Sequence, residues 1–193
     1  VPISKDRLAT RELPKTVKYP DLIYLAATYC GYNDDYFSDN IEGARSELLY
    51  GGMNDEEMET VKANLGGGNT IIGEFNIASS PTNLENRGEL GEIFHLSWKG
   101  WNGRYFKDLT NGVEVPAWTV KSYEAANSTD WKFSGEGYVL VSDENRIVVL
   151  ENGTDVGKKE MRIAFSEACR EEFGSAAEAP YEYWFEFIEP DSS

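Results

Sequence analysis

Histidine is nearly absent from this chain, cysteine is scarce and cations are outnumbered: 193 residues include one His, two Cys, and 18 Lys plus Arg against 34 Asp plus Glu. Nucleophilic hydrolysis usually draws its base from histidine, so a single one leaves little room for a Ser-His-Asp or Cys-His arrangement. One histidine and two distant cysteines give no chelating spacing for zinc, and no pattern calls for a metal or an organic cofactor. The cation deficit leaves a formal charge of -16. That charge repels a phosphate backbone, and no run of Lys or Arg is dense enough to reverse it locally, which excludes nucleic acid as a partner. Long apolar runs are missing as well. No stretch approaches the roughly 20 residues needed to span a bilayer, so no membrane anchor is expected.

What is present is apolar area in moderate supply, 40% hydrophobic and 13% aromatic residues, enough for the core of one domain and too much for a disordered chain. The start at Val1-Pro2, without Met, suits a chain from which a signal peptide has been removed. Asn127-Ser128-Thr129 and Asn152-Gly153-Thr154 are acceptor sequons for N-glycosylation in a secretory pathway. Cys30 and Cys169 are an even pair whose disulfide would close most of the chain, worth about 4 to 5 kcal/mol by loop entropy; the alternative is two buried reduced thiols. Together these features point to an extracellular, secreted glycoprotein.

Along the chain, residues 1–18 form a basic N-terminal arm carrying Lys5, Arg7, Arg11, Lys15 and Lys18, and 19–193 read as a single globular domain. Pro20 and Asp21 at the start, helical apolar spacing and Gly31 at the stop predict a first helix over 19–31. A polar loop follows over 33–40, then a short helix from Ile41 to Tyr50 and a third from Asp55 to Asn64 or Leu65, opened by a near capping box at Asn54 and Glu57. After Gly66-Gly67-Gly68 the apolar period changes to two, and strands are expected over 70–77, 92–98, 104–107, 113–122, 137–142 and 146–151. Pro116 places the fourth of these at a sheet edge or bulge. A helix over 166–173, closed by Gly174, and a last strand over 181–188 complete the reading. The expected class is α+β: a helical N-terminal third, then a mostly antiparallel sheet or sandwich with one C-terminal helix and a final strand.

Four constellations bear on chemistry. Cys30 and His95 could pair as a nucleophile and base, although Cys30 near a helix C-terminus would meet the unfavourable end of the dipole. In a strand His95 would lie beside Ile93 and Ser97. Asn33 to Asn40 is oxygen-rich enough for a hard cation but lacks EF-hand spacing, so a solvated loop is expected. Carboxylate pairs for glycoside hydrolysis are recognised by separation in space, so Glu89, Glu92 and Glu151 are only nominated. The most suggestive stretch is Ser97 to Phe106, with Trp98, Trp101, Asn102 and Tyr105, followed by Trp118. Aromatic rings beside amide and cationic groups suit a carbohydrate-binding face, while the same pattern suits a hairpin with Trp98 and Phe106 in the core and Lys99 to Gly103 as its turn. Trp101, at that turn, is the residue of choice for a contact.

Two segments resemble the amino-terminal part of fungal class 3 lipases. Lys18-Tyr19-Pro20-Asp21-Leu22-Ile23-Tyr24-Leu25-Ala26-Ala27-Thr28-Tyr29-Cys30 is similar to the opening helix of that family, which ends Ala-Tyr-Cys. Gly137-Tyr138-Val139-Leu140-Val141-Ser142-Asp143-Glu144-Asn145-Arg146-Ile147-Val148-Val149-Leu150-Glu151-Asn152-Gly153-Thr154-Asp155 is similar to its hairpin into a Phe-Arg-Gly-Thr turn. The resemblance implies a disulfide at Cys30 and an oxyanion-hole role for Thr154. The chain departs from the family where Glu151 and Asn152 replace Phe-Arg, has no Gly-x-Ser-x-Gly elbow, and carries its histidine before the hairpin, so a truncated or non-catalytic relative is implied.

Three readings follow. The first is a secreted acidic binding protein that recognises a carbohydrate or protein surface through the aromatic turn. The second is a secreted hydrolase, carboxylate-based, thiol-based or lipase-like. The third is an intracellular acidic inhibitor or immunity-type protein that covers a basic partner, since residues 167–193 hold eight acids against Arg170 alone.

Overall fold

The computed structural model describes residues 13, 14, 17, 20–26, 28, 30–37, 46–112, 114–158, 160–174 and 178–191. Most of the basic arm, the first residues of the expected second helix and Ser38 to Asn40 lie outside them. The elements in chain order are β1 (Leu22–Leu25), β2 (Gly31–Tyr32), α1 (Asn33–Phe37), β3 (Leu48–Tyr50), α2 (Asp55–Asn64), β4 (Thr70–Gly73), α3 (Leu84–Phe94), β5 (Leu96–Phe106), α4 (Ala117–Asn127), β6 (Gly137–Ser142), β7 (Ile147–Glu151), β8 (Arg162–Ala164), α5 (Glu167–Phe173), β9 (Glu178–Pro180) and β10 (Phe185–Pro190). Two compact units contain them, one over 1–100 with 186–193 and the other over 101–185.

The expected helical N-terminal third does not form. Short helices are spread along the chain between strands, which makes the fold mixed α/β with helices in both units. Leu22–Leu25, within the expected first helix, is a strand paired in parallel with β4, Leu22 opposite Thr70 and Leu25 opposite Gly73. The ladder satisfies backbone groups that a helix would satisfy locally, and Leu25 packs on the core of its unit, so tertiary pairing overrides helix propensity. That core is Met53, Met58, Ile77, Ala78 and Leu90. Over it lie α2 and α3, each with an Asn cap: Asn54 accepts from Glu57 N while Glu57 closes the reciprocal bond, and Asn83 accepts from Asn86 N. The helix end at Asn64 and the capping box follow the sequence expectation.

The expected strand over 92–98 is instead the last turn of α3 and the start of β5. His95 takes a left-handed conformation (φ 52°) and its N–H bonds Gly91 O, ending the helix. The chain folds back over that turn so closely that a Cβ on Gly91 would stand 2.7 Å from Leu96 O. The helix therefore runs further than alternation suggested because its reversal uses a residue with no side chain. In the same unit Asp191 N donates to His95 O and Lys99 pairs with Glu189, which holds β10 beside the first residues of β5.

The second unit is built on an antiparallel meander in which β6 pairs with β5 (Trp101 opposite Ser142, Phe106 opposite Gly137) and with β7 (Gly137 opposite Glu151, Val141 opposite Ile147). Its core is Phe106, Leu109, Val115, Val120, Trp131, Val139, Val141 and Ile147. The expected strand over 113–122 is mostly helix: Pro116 stands at the N-cap of α4, where its carbonyl accepts from Thr119 and Val120 and the missing N–H costs nothing. The expected helix at 166–173 is present as α5, with Ser166 Oγ accepting from Cys169 N and Gly174 left-handed at the stop.

Gly137 has no room for a side chain, because a Cβ there would run into Leu150 O and stand 2.7 Å from Leu109 Cδ1. Gly137→Ala is expected to lower unfolding free energy by about 1 to 3 kcal/mol through overpacking. Asn54→Ala should lower it by about 1 kcal/mol through loss of the cap. Urea denaturation followed by tryptophan fluorescence checks both, and a Gly137→Ala midpoint equal to wild type would contradict the packing described.

Candidate functional site

The expected aromatic turn is not a turn. Leu96 to Phe106 form one strand, in which Gly100 takes a positive φ of 77° and so absorbs the irregularity that Gly and Asn suggest. Trp101 is consequently a ladder residue opposite Ser142 rather than a loop tip. Its ring is half-buried and lies under the Arg146 guanidinium, 5.3 Å from the centroid, with Arg146 supplied by the segment between β6 and β7. Asn102 is half-buried and its Oδ1 is buried with no hydrogen-bond partner among the described residues.

Tyr105 and Trp118 are committed to packing. Tyr105 is 4% exposed and its ring meets Tyr138 at 5.3 Å between centroids. Burial pushes its phenol up to about 12, with a hydrogen bond to Glu136 adding to the effect. Trp118, on the first turn of α4, packs against the core that contains Trp131 and Val120. In the other unit Trp98 packs on the Met58 and Leu90 core, with the Arg87 guanidinium 4.0 Å above its ring. Arg87 is itself fixed by Ala78 O, which accepts from Nε at 2.6 Å. The five nominated residues thus act as core, ladder or half-covered side chains, and a flat aromatic platform does not emerge from them.

Cys30 is buried and Cys169 half-buried, and both are free thiols, so the expected bridge is not formed; they belong to different compact units. His95 serves through its backbone as a helix stop. Asn33 to Phe37, expected as loop, is the helical turn α1, where Asp35 accepts from Tyr32 N and Asp34 N donates to Ser46 Oγ. Among the described residues no group of three His, Cys, Asp or Glu could hold a metal. Asp108 is held below the ordinary carboxylate range by the Thr110 hydroxyl and N–H, and Glu189 by Lys99. Both shifts run opposite to that of a glycosidase general acid.

A different surface carries exposed apolar side chains, and sequence reasoning missed it. From Arg162 to Gly174 every residue except Cys169 is exposed. β8 pairs antiparallel with β9, Ile163 opposite Ala179, and Tyr181 N donates to Met161 O at its base. α5 between them has no buried residue. Ile163 and Phe165 are 42% and 39% exposed, and Phe173 is 76% exposed. In this β8–α5–β9 arm the strands are joined by backbone pairing and the helix is closed by two caps, and Glu167, Glu171, Glu172 and Glu178 are exposed on the same elements. The sequence signal was Phe173 between Glu172 and a helix-stopping glycine.

No protein-family model matches the chain, and no curated protein or solved structure matches it either. The lipase resemblance therefore rests on residues alone. Of its two segments the hairpin β6–β7 is present, whereas Leu22–Leu25 is a strand where the resemblance implies a helix.

Tyr105 gives a spectroscopic handle on this packing. A phenol whose folded pKa lies above its unfolded value of about 10 stabilises the fold fully below pH 10 and loses that contribution as pH rises through about 12. Phenolate absorbance is expected to show a late-titrating tyrosine that disappears in Tyr105→Phe, and alkaline unfolding should begin between those two values. A Tyr105→Phe titration identical to wild type would show that this phenol is not buried.

Proposed function

We propose that this chain is a secreted acidic binding protein whose ligand is a protein surface, and that the β8–α5–β9 arm makes the contact. The single observation that carries the reading is that Phe173, Phe165 and Ile163 stay exposed on these elements while α5 has no fully buried residue. Conformational entropy is lost in ordering such an arm, and α5 contributes little burial within the chain against it. A partner that covers these side chains supplies that burial, as an aromatic anchor does at the centre of a protein interface.

Charge defines the partner. Glu167, Glu171, Glu172 and Glu178 stand on the arm against Arg162 and Arg170, and Arg162 is already paired with Glu160. A basic surface with an apolar depression complements this arrangement, and acidic rims steer such a partner and raise its association rate at low salt. A carbohydrate ligand fits less well, because its proposed contacts Tyr105 and Trp118 are occupied by packing.

The test uses an array of synthetic Lys/Arg-rich peptides with and without leucine and aromatic anchors, alongside immobilised polysaccharides. Binding is expected to basic peptides that carry anchors and to weaken with salt. Phe173→Ala should weaken it about tenfold, equivalent to about 1.4 kcal/mol, while leaving stability within about 0.5 kcal/mol because the side chain is exposed. Peptide binding unaffected by Phe173→Ala would remove the arm from the interface. Polysaccharide binding lost in Trp101→Ala would move the function to β5.

A further inference from the structure

The two sequons differ in structure. Asn127 is the last residue of α4, and residues Ala125 to Asp130 are all exposed. Ser128 turns left-handed at φ 52° and carries the chain off the helix, so the tripeptide Asn127-Ser128-Thr129 stands clear of the unit it belongs to. Asn127 Nδ2 donates to Tyr123 O at 2.9 Å. An amide nitrogen carries two hydrogens, and substitution of one by a sugar leaves the other to keep that bond.

Asn152 is held inside a turn. Its N–H donates to Glu136 O at 2.9 Å, its Nδ2 to Glu136 Oε2 at 3.3 Å, and its Oδ1 is buried. Gly153 N bonds Val156 O at 2.7 Å and Thr154 N bonds Glu151 O at 3.2 Å, which ties the whole tripeptide into a compact loop. Asp155 closes it further by accepting from Glu151 N. Gly153 to Asp155 are exposed, but Asn152 itself is half-buried, so a bulky group on its Nδ2 would be crowded against Glu136 and the buried Oδ1, whereas every residue from Ala125 to Asp130 around Asn127 is exposed.

We propose that Asn127 is an N-glycosylation site of this protein and that Asn152 is left unmodified in the folded protein, whose surface accommodates a sugar at the first of two equivalent sequence motifs and crowds it at the second. The inference rests on passage through a secretory pathway, as does the secreted part of the function proposed above. The reaction is a group transfer from a lipid-diphosphate-linked oligosaccharide. Asn127 Nδ2 forms a bond to the anomeric carbon, the bond from that carbon to the diphosphate oxygen breaks, the lipid diphosphate leaves with the electron pair, and one amide proton passes to a base of the transferase. No oxidation or reduction is involved. A glycan at the end of α4 also sits on a different element from the β8–α5–β9 arm, so its presence and peptide binding are separate readouts.

The full chain is expressed behind a signal peptide in a eukaryotic secretory host, and intact mass is measured before and after digestion with a peptide N-glycosidase, which converts a glycosylated Asn to Asp. One glycan is expected, with Asp appearing at position 127. Asn127→Gln and, independently, Thr129→Ala should each abolish it, and Asn152→Gln should leave it unchanged. A protein that carries no glycan, or one that carries it on Asn152, overturns the inference. Peptide-array binding of the deglycosylated protein is scored separately, so a missing glycan and a missing interaction are told apart.

Discussion

Burial of Phe106, Leu109 and Val139, each with no exposed area, is the constraint on which the second unit depends. Phe106 closes the β5 ladder opposite Gly137, and Val139 lies two residues further along β6 on the same face. Leu109 follows directly, and its carbonyl accepts the Trp131 indole N–H at 2.8 Å, which ties the segment after α4 to the sheet. Tyr123, Trp131 and Phe133 then meet edge to face, with centroids 4.9 to 5.4 Å apart. The hairpin, α4 and the intervening loop are thus fixed by one cluster, and Gly137 lets two backbones approach closely enough for that cluster to close.

Local signals were legible in the sequence where they are backbone chemistry. Asn54 with Glu57 before α2 and Gly174 after α5 were readable because a helix end is decided by a few neighbouring residues. Strand β6 was readable because its inner side chains alternate and its ends are marked by Gly and Asp. Pairing between distant segments was not. Leu22 to Leu25 has an acceptable helical pattern, and only its partner Thr70–Gly73 makes it a strand. His95 looked like a sheet residue because Leu96 and Trp98 continue an alternation that starts only after the helix stop. The nominated aromatic residues were misread for the same reason: exposure at 98–118 depends on which strands flank β5, and composition carries no information about neighbours.

The arm was hidden by an opposite property. Its helix and the glycine that stops it could be read, but exposure of its apolar side chains could not, and Phe173 is exposed. The net charge acquires a location in consequence. Acidic residues outnumber basic ones in the chain as a whole, and on β8, α5 and β9 Glu167, Glu171, Glu172 and Glu178 share exposed elements or their flanks with Ile163, Phe165 and Phe173.

The bond from Tyr181 N to Met161 O brings together the two points at which the arm leaves and rejoins its unit. Because those points nearly coincide, β8, α5 and β9 lie between two adjacent anchor points of the chain. Such a segment can lengthen, shorten or change its side chains in related sequences without disturbing Phe106 and its neighbours. Side chains such as Phe173 can therefore change without a cost to the burial of Phe106, Leu109 and Val139.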